Sequence, residues 1–319
     1  MTIAIMCSGG DCAGMNPAIK SFVDYSYEKG ITPYFIYEGF EGLIDGKIKK
    51  AKHENVAGII HLGGTIIKTS RSKRFYEKKY REQAYDNLQK HNINKIVVLG
   101  GNGSFEGLNV FSKEYDISFV GVPSTIDNDI YSSDYSLGVD TSLNIIKSAL
   151  DDIRDTSSSF KRAFVVETMG RDSGYLAIVS AITSGAEICV VPEIEVDFNS
   201  LEKRLKKELK NGRSYILAIV AEGTNKTDTL AKWIEEKLDI ETRTVSLGHI
   251  QRGGNPSVFD RLMANEFVTL SIDKLLTENT KSVIIYKNSS FQYKQIEELS
   301  DKTPTINPFL LKQLEKMIK

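Results

Sequence analysis

Lys95-Ile96-Val97-Val98-Leu99-Gly100-Gly101-Asn102-Gly103-Ser104 is a β-branched apolar run that empties into glycines. Such a run reads as a buried strand, and the pattern from Phe105 onward reads as the helix that follows it. Glycines let backbone N–H groups approach an anion, and a helix N-terminus adds its dipole, so this unit presents donors to phosphate. Residues 2–7 and Ser8-Gly9-Gly10-Asp11-Cys12-Ala13-Gly14-Met15-Asn16-Pro17 repeat the arrangement, with Pro17 suited to a first helical turn. No Gly-Lys-Ser/Thr closes that turn, so it is not a P-loop, and Gly10 to Gly14 has the wrong spacing for a dinucleotide fingerprint. Each turn taken alone is equally well explained as a tight structural loop.

The next strand, Ser118 to Val122, is stopped by Pro123, which has no N–H to give a sheet. It feeds Ser124-Thr125-Ile126-Asp127-Asn128-Asp129. In open α/β sheets ligands lie at such carboxyl ends. If this backbone is extended, Thr125, Asp127 and Asp129 point the same way, one carboxylate able to accept a proton and the other to hold a cation. An Asx-rich turn explains the triplet by itself. Two strand–glycine–helix units and this loop predict one parallel sheet with its loops at one edge.

Outward from this centre, further strands are expected at 32–37, 162–166, 187–191, 215–220, just after Arg243, and at 282–287. Gly39, Gly42 and Gly46 read as loop punctuation. Gly63-Gly64-Thr65 opens a turn before a basic run, Lys68 to Lys79, which is either a solvated helix face or a phosphate contact through Arg71. Leu143, Ile146, Ala149, Leu150 and Ile153 mark a helix that ends in a hydroxyl-rich loop, Asp155-Thr-Ser-Ser-Ser159. Arg162 and Arg171 bracket the strand and turn that follow; they are either structural ion pairs or a phosphate site. Residues 200–211 and the segment around Trp233 are surface helices, and the tail is a basic amphipathic helix.

A chain of 319 residues with 41% hydrophobic and 26% charged residues is ordinary globular material, enough for two lobes. A net charge of −1 gives no field to recruit nucleic acid or an acidic membrane. No apolar run reaches the roughly 18 residues of a membrane span, and the start passes straight into a strand without a secretory pattern. Three cysteines, Cys7, Cys12 and Cys189, form no disulfide or zinc pattern and suit a reducing cytoplasm.

Glycine cradles, an aspartate pair, and Arg71, Arg162, Arg171, Arg243, His249 and Arg252 at strand ends form the inventory of phosphoryl transfer, where positioning and charge neutralisation dominate. The blocks Gly9-Gly10-Asp11…Gly14-Met15-Asn16, Gly63-Gly64-Thr65, Gly100-Gly101…Gly103-Ser104, Pro123…Asp129, Asp155 to Ser159, Met169-Gly170-Arg171, and Leu247-Gly248-His249-Ile250-Gln251-Arg252-Gly253-Gly254 follow in order. With them the chain resembles the bacterial ATP-dependent 6-phosphofructokinases.

The resemblance implies two Rossmann-like three-layer α/β lobes with mostly parallel sheets. An ATP-binding lobe would hold residues 1–138 and 255–300, and a sugar-phosphate lobe residues 139–254 and 301–319, with the active site between them. It implies that Asp127 takes the proton of the fructose 6-phosphate 1-hydroxyl, that Thr125 positions that hydroxyl, and that Arg171 joins the catalytic set. Asp129, with position 102, would hold Mg2+. Gly10, Arg71, Ser72, Gly101, Asn102, Gly103 and Ser104 would line the ATP site. Met169, Gly170, Arg171, Glu222, His249 and Arg252 would bind the sugar phosphate. Arg162 and Arg243 would reach the sugar phosphate of a neighbouring subunit in a homotetramer.

This sequence departs from the family pattern in three places. Asn102 stands where the family carries a metal-binding aspartate, so Mg2+ affinity should fall. Gly103 and the small Ser124 favour ATP over pyrophosphate as donor. The effector positions fall on Lys20, Asp24, His53, Arg154, Glu187, Asn211 and Arg213; Asp24 and Asn211 replace cations, which predicts weak allosteric control. An accessory subunit that binds sugar phosphate but turns over poorly is the alternative that Asn102 supports, and a pyrophosphate-dependent enzyme the one that Gly103 disfavours.

Overall fold

The structure is a computed structural model that describes residues 1–299, 302 and 306–319. The strands are β1 (Thr2–Cys7), β2 (Thr32–Ile36), β3 (Ile48–Lys50), β4 (Lys95–Gly100), β5 (Ser118–Pro123), β6 (Ala163–Thr168), β7 (Ile188–Val190), β8 (Ile216–Ala221), β9 (Thr242–Ser246), β10 (Lys281–Lys287) and β11 (Ser290–Gln295). The helices are α1 (Met15–Glu28), α2 (Gly39–Ile44), α3 (His53–Val56), α4 (Lys78–Gln89), α5 (Asn102–Glu114), α6 (Val139–Phe160), α7 (Tyr175–Ser184), α8 (Phe198–Lys210), α9 (Thr227–Leu238), α10 (Val258–Thr277), α11 (Ile296–Leu299) and α12 (Pro308–Leu314). The chain divides into two compact units, Met1–Thr141 with Arg252–Pro304, and Ser142–Gln251 with Thr305–Lys319.

Unit 1 is built on a seven-stranded sheet of order β11-β10-β5-β4-β1-β2-β3. Its centre is parallel, and β3 and β11 add antiparallel edges. All six residues of β4 and of β5 are buried, as the unbroken apolar runs require of strands covered on both faces. Phe40, Phe75, Phe105 and Phe111 pack against Ile96, Val98 and Phe119 in one core cluster. The chain builds β2 and β3 on one side of β1 and β4 and β5 on the other. The strand order therefore reverses between β1 and β4, where an α/β sheet opens a crevice at its carboxyl ends. Both glycine turns leave the sheet there.

Unit 2 is a four-stranded parallel sheet, β7-β8-β6-β9. Val165, Ile216, Ala218 and Val220 meet Leu201, Leu205, Leu230 and Ile234 of α8 and α9. Among the described residues, no helix is long and apolar enough to cross a membrane.

Four local readings need correction. The glycines from 39 to 46 do not mark a loop: α2 starts at Gly39 after Glu38 takes φ 58°, and Phe40, Leu43 and Ile44 bury at helical spacing. Asp155 to Ser159 continue α6, with Ser158 and Ser159 hydroxyls donating to the Asp155 carbonyl. The basic run is no single helix face; Lys68 to Lys73 are irregular, Arg74–Tyr76 form a 3-10 turn and α4 begins at Lys78. The tail helix shrinks to α12, and the part of that expectation on 300, 301 and 303–305 lies outside the described residues.

Candidate active site

In unit 1 the turns after β1 and β4 are tied to each other. Ser8 donates its N–H to the Leu99 carbonyl at 2.9 Å and accepts the Ser104 hydroxyl at 2.9 Å. Thr69 Oγ1 donates to the Gly9 carbonyl at 2.9 Å, which fixes the segment leading to Arg71. Arg71 is exposed and makes no ion pair among the described residues. The nearby Arg74 is instead committed to Glu41 and Asp45. Ser72 accepts the Phe75 N–H at 3.1 Å through Oγ, and so shapes the segment that follows Arg71. Gly101 caps α5, whose first amides lack intrahelical partners by geometry, and a side chain at Gly103 would meet nothing within 4 Å.

Asn16, buried at the start of α1, donates to the Leu62 and Gly63 carbonyls at 3.1 and 3.0 Å and accepts from Ile66 N–H at 2.8 Å. A Cβ on Gly63 would lie 2.3 Å from the Gly254 carbonyl, so only glycine lets these two turns touch. Arg252 Nη1 reaches the Asp11 carbonyl at 3.3 Å and lies against Gly10. The blocks around residues 10, 63, 101 and 252, nearly 250 positions apart in sequence, are thus assembled in unit 1.

The acidic loop joins the same edge. Ser124 donates its N–H to the Gly100 carbonyl at 2.8 Å and turns its hydroxyl back to Val122 at 3.0 Å. The loop is not extended: Asp127 N–H donates to Thr125 Oγ1 at 3.3 Å, and Asn128 takes φ 49°. Thr125, Asp127 and Asp129 therefore do not share a face by strand alternation. The turn carries Asp127 inward to 1% exposure and delivers Asp129 to Asn102, whose Nδ2 donates to Asp129 Oδ2 at 3.0 Å and to its carbonyl at 3.1 Å.

In unit 2 the ends of β6, β8 and β9 meet. Glu222 Oε1 accepts the N–H groups of Gly170 and Arg171 at 3.2 and 3.0 Å. That holds Arg171 at φ 51°, a left-handed backbone that a non-glycine residue adopts only with support. Gln251, buried, accepts the Met169 N–H at 3.1 Å and donates to the Gly248 carbonyl at 2.9 Å, which locks the turn carrying exposed His249. Gln251 has no role legible from its motif alone; a buried amide beside exposed His249 is the signal for a positioning group. Ser8 was missed likewise.

Arg162 and Arg243 lie elsewhere. The register pairs Ala163 with Thr242, which places Arg162 beside Glu241 at the amino ends of β6 and β9. Seven residue steps, about 23 Å if extended, separate Arg162 from Met169 at the start of the Met169–Arg171 turn. Arg162 and Arg171 therefore do not form one junction site, and Arg162 and Arg243 both bind Glu241.

The effector positions divide between the units. In unit 1 Asp24 accepts Lys20 at 2.7 Å and His53 at 3.0 Å, and His53 stacks on Tyr27. In unit 2 Arg213 pairs with buried Glu187, which also accepts Leu217 N–H; burial pushes that carboxyl up. Arg154 lies on α6, and Asn211 caps the end of α8. Cys7, Cys12 and Cys189 are buried free thiols; burial pushes Cys7 up to about 12 and raises the other two.

Comparison with known proteins places this assembly. A family described as Phosphofructokinase matches residues 2–275. The chain is 55% identical over 98% of its length to an ATP-dependent 6-phosphofructokinase of Sulfurimonas denitrificans, covering 99% of that protein. It is 52% identical over 94% of both chains to one from Wolinella succinogenes. Phosphofructokinase from Saccharomyces cerevisiae superposes with a TM-score of 0.89 at 28% identity over 93% of this chain, which spans 44% of the yeast chain. A pyrophosphate-dependent phosphofructokinase from Marinobacter aquaeolei shares the fold, with a TM-score of 0.85 at 18% identity. The chain belongs to the phosphofructokinase family.

Proposed function

We propose that this protein transfers the γ-phosphoryl group of ATP to the 1-hydroxyl of fructose 6-phosphate, giving fructose 1,6-bisphosphate and ADP in glycolysis. The observation that carries this reading is the Asn102–Asp129 contact, which brings the acidic loop of β5 onto the glycine turn of β4 at the sheet's switch point. The names of relatives above 50% identity support ATP as donor and the sugar phosphate as acceptor.

Asp127 takes the proton from the attacking hydroxyl, and Thr125 positions that hydroxyl. Gly10, Arg71, Ser72 and Gly101 to Ser104 line the ATP site. Met169, Gly170, Arg171, Glu222, His249 and Arg252 bind the sugar phosphate. Mg2+ is normally held by one or two carboxylates plus phosphate oxygens and water. Asp129 with the Asn102 carbonyl fits that sparse demand, and among the described residues no cluster of three or more His, Cys, Asp or Glu forms an all-protein cage. The ion would neutralise the charge of the nucleotide phosphates there.

The distance between Arg162 and the protein's own Arg171 turn supports a second part of the reading. These arginines serve the sugar phosphate of another copy, in a homotetramer of the cytoplasm. The test is a coupled assay of the purified protein with fructose 6-phosphate and Mg2+, offering ATP or pyrophosphate. Turnover with ATP and none with pyrophosphate is expected. Sugar-phosphate binding without turnover on either donor would replace the kinase reading with an accessory role.

A further inference from the structure

Surface arginines are normally mobile, yet half-buried Arg162 is fixed from three sides. Its backbone closes the end of α6: its N–H reaches the Ser157 carbonyl at 3.3 Å, and the Ser157 hydroxyl donates to the Arg162 carbonyl at 2.9 Å. Its guanidinium lies 4.7 Å over the Phe160 ring. Its Nε donates to Glu241 at 2.7 Å, which leaves both terminal Nη groups for another acceptor. Arg243 of β9, two residues after Glu241, gives Nη2 to the other oxygen of that carboxylate. Glu241 and Arg243 are both exposed, so these groups are open to solvent. Exposed ion pairs contribute little to stability, so the fold does not require the triad.

We propose that Glu241 is a positioning residue which holds Arg162 and Arg243 as one fixed cationic pair for the phosphate of a sugar phosphate bound by a second copy of the chain. The proposal rests on the reading above that these two arginines contact that phosphate. One carboxylate between two guanidiniums leaves the triad with a net positive charge and several undirected N–H donors. Phosphate therefore meets a preorganised fork rather than two mobile arms.

The experiment measures kcat and the fructose 6-phosphate half-saturation of the purified oligomer for E241A, E241Q, R162A and R243A. The E241A change should raise half-saturation about tenfold with kcat within about twofold, and E241Q, which keeps one acceptor oxygen, about threefold. In an R162A/R243A background E241A should have no further effect, because its action passes through those side chains. An unchanged or lowered half-saturation in E241A, or an additive effect in that background, would overturn the proposal if R162A and R243A still weaken binding. If R162A and R243A leave half-saturation unchanged, the shared-site reading itself fails.

Discussion

The glycine turns of unit 1 are set by main-chain and hydroxyl contacts, whereas in unit 2 the Arg171 turn, Arg162 and Arg243 are steadied by carboxylates. Around Gly9 to Asp11 and Gly101 to Ser104 the turns are set by backbone and hydroxyl contacts: Ser8 with Leu99 and Ser104, Thr69 with Gly9, Ser124 with Gly100. In unit 2 Glu222 fixes the turn of Arg171 and Glu241 fixes Arg162 and Arg243. The difference follows from the chemistry. Amide dipoles need only a rigid turn. Guanidiniums carry full charge on flexible stems, and without a local carboxylate they would repel one another and wander. Variants of unit 1 should therefore act mainly on the chemical step and on nucleotide and metal, and variants of unit 2 mainly on sugar-phosphate affinity.

The largest effect tests the first half of that division. Asp127→Asn keeps the size of a side chain that is 1% exposed but removes its capacity to accept a proton. The kcat should fall by about 10² to 10⁴, the range for loss of a general base, with sugar-phosphate affinity nearly retained. A kcat close to wild type in a single-turnover measurement would move the base elsewhere.

The second half is tested at Gly223. A Cβ there would lie 1.8 Å from the Arg171 carbonyl, and that atom is backbone already held at φ 51°. Gly223→Ala must push the Met169–Arg171 turn away from Glu222. A displacement near 1 Å at a binding group costs up to about 10²-fold, so half-saturation for fructose 6-phosphate should rise tenfold or more while that for ATP stays level. An equal rise for both substrates would erase the contrast between the units.

The same contrast explains what the sequence disclosed. Strands such as Lys95 to Leu99 and turns such as Gly100 to Ser104 are legible because burial on both faces and backbone approach dictate residue type locally. Hydrophobic periodicity also found α6 but not its end, since Ser158 and Ser159 read as loop residues until their hydroxyls bond back to Asp155. The antiparallel edges β3 and β11 went unseen: β3 has three residues, two of them exposed, and β11 shows an alternation too polar to stand out. In the candidate site, glycines and the aspartate pair were legible one by one. The relation of Asp127 to Asp129 was not, because Asn128 between them takes a positive φ. The contacts of Glu241 with Arg162 and of Gln251 with Met169 could not be read, because they join residues 79 and 82 positions apart.

A smaller effect is expected at the metal position. Asn102 holds Asp129 through Nδ2 at 3.0 Å. Asn102→Asp would set two carboxylates at that distance, which repel until a cation joins them. The variant should reach half-maximal rate at a severalfold lower Mg2+ concentration, with a modest rise in kcat. Its melting temperature should also rise more than wild type's when Mg2+ is added, as linkage requires of a tighter site. Identical Mg2+ responses in the melting curves would show that Asn102 is no metal ligand, and a sharp rise in kcat would favour the accessory-subunit reading of the natural chain.

The smallest expected effect is that of the effectors. Lys20 and His53 are the basic side chains that unit 1 retains at effector positions, and both are bound to Asp24, so this part of unit 1 is carboxylate-steadied in the manner of unit 2. The two cases differ in what stays free. Glu241 takes one Nε and one Nη of its arginines and leaves their other N–H groups, while Asp24 offsets the charge of Lys20 and occupies Nδ1 of His53, so little is left to attract phosphate. ADP or phosphoenolpyruvate should accordingly move the fructose 6-phosphate saturation curve by less than about twofold. Asp24→Asn should enlarge that response by releasing Lys20 and His53. A strong shift in the natural chain would mean that Asp24 yields to the effector as Glu241 does not need to yield to the sugar phosphate.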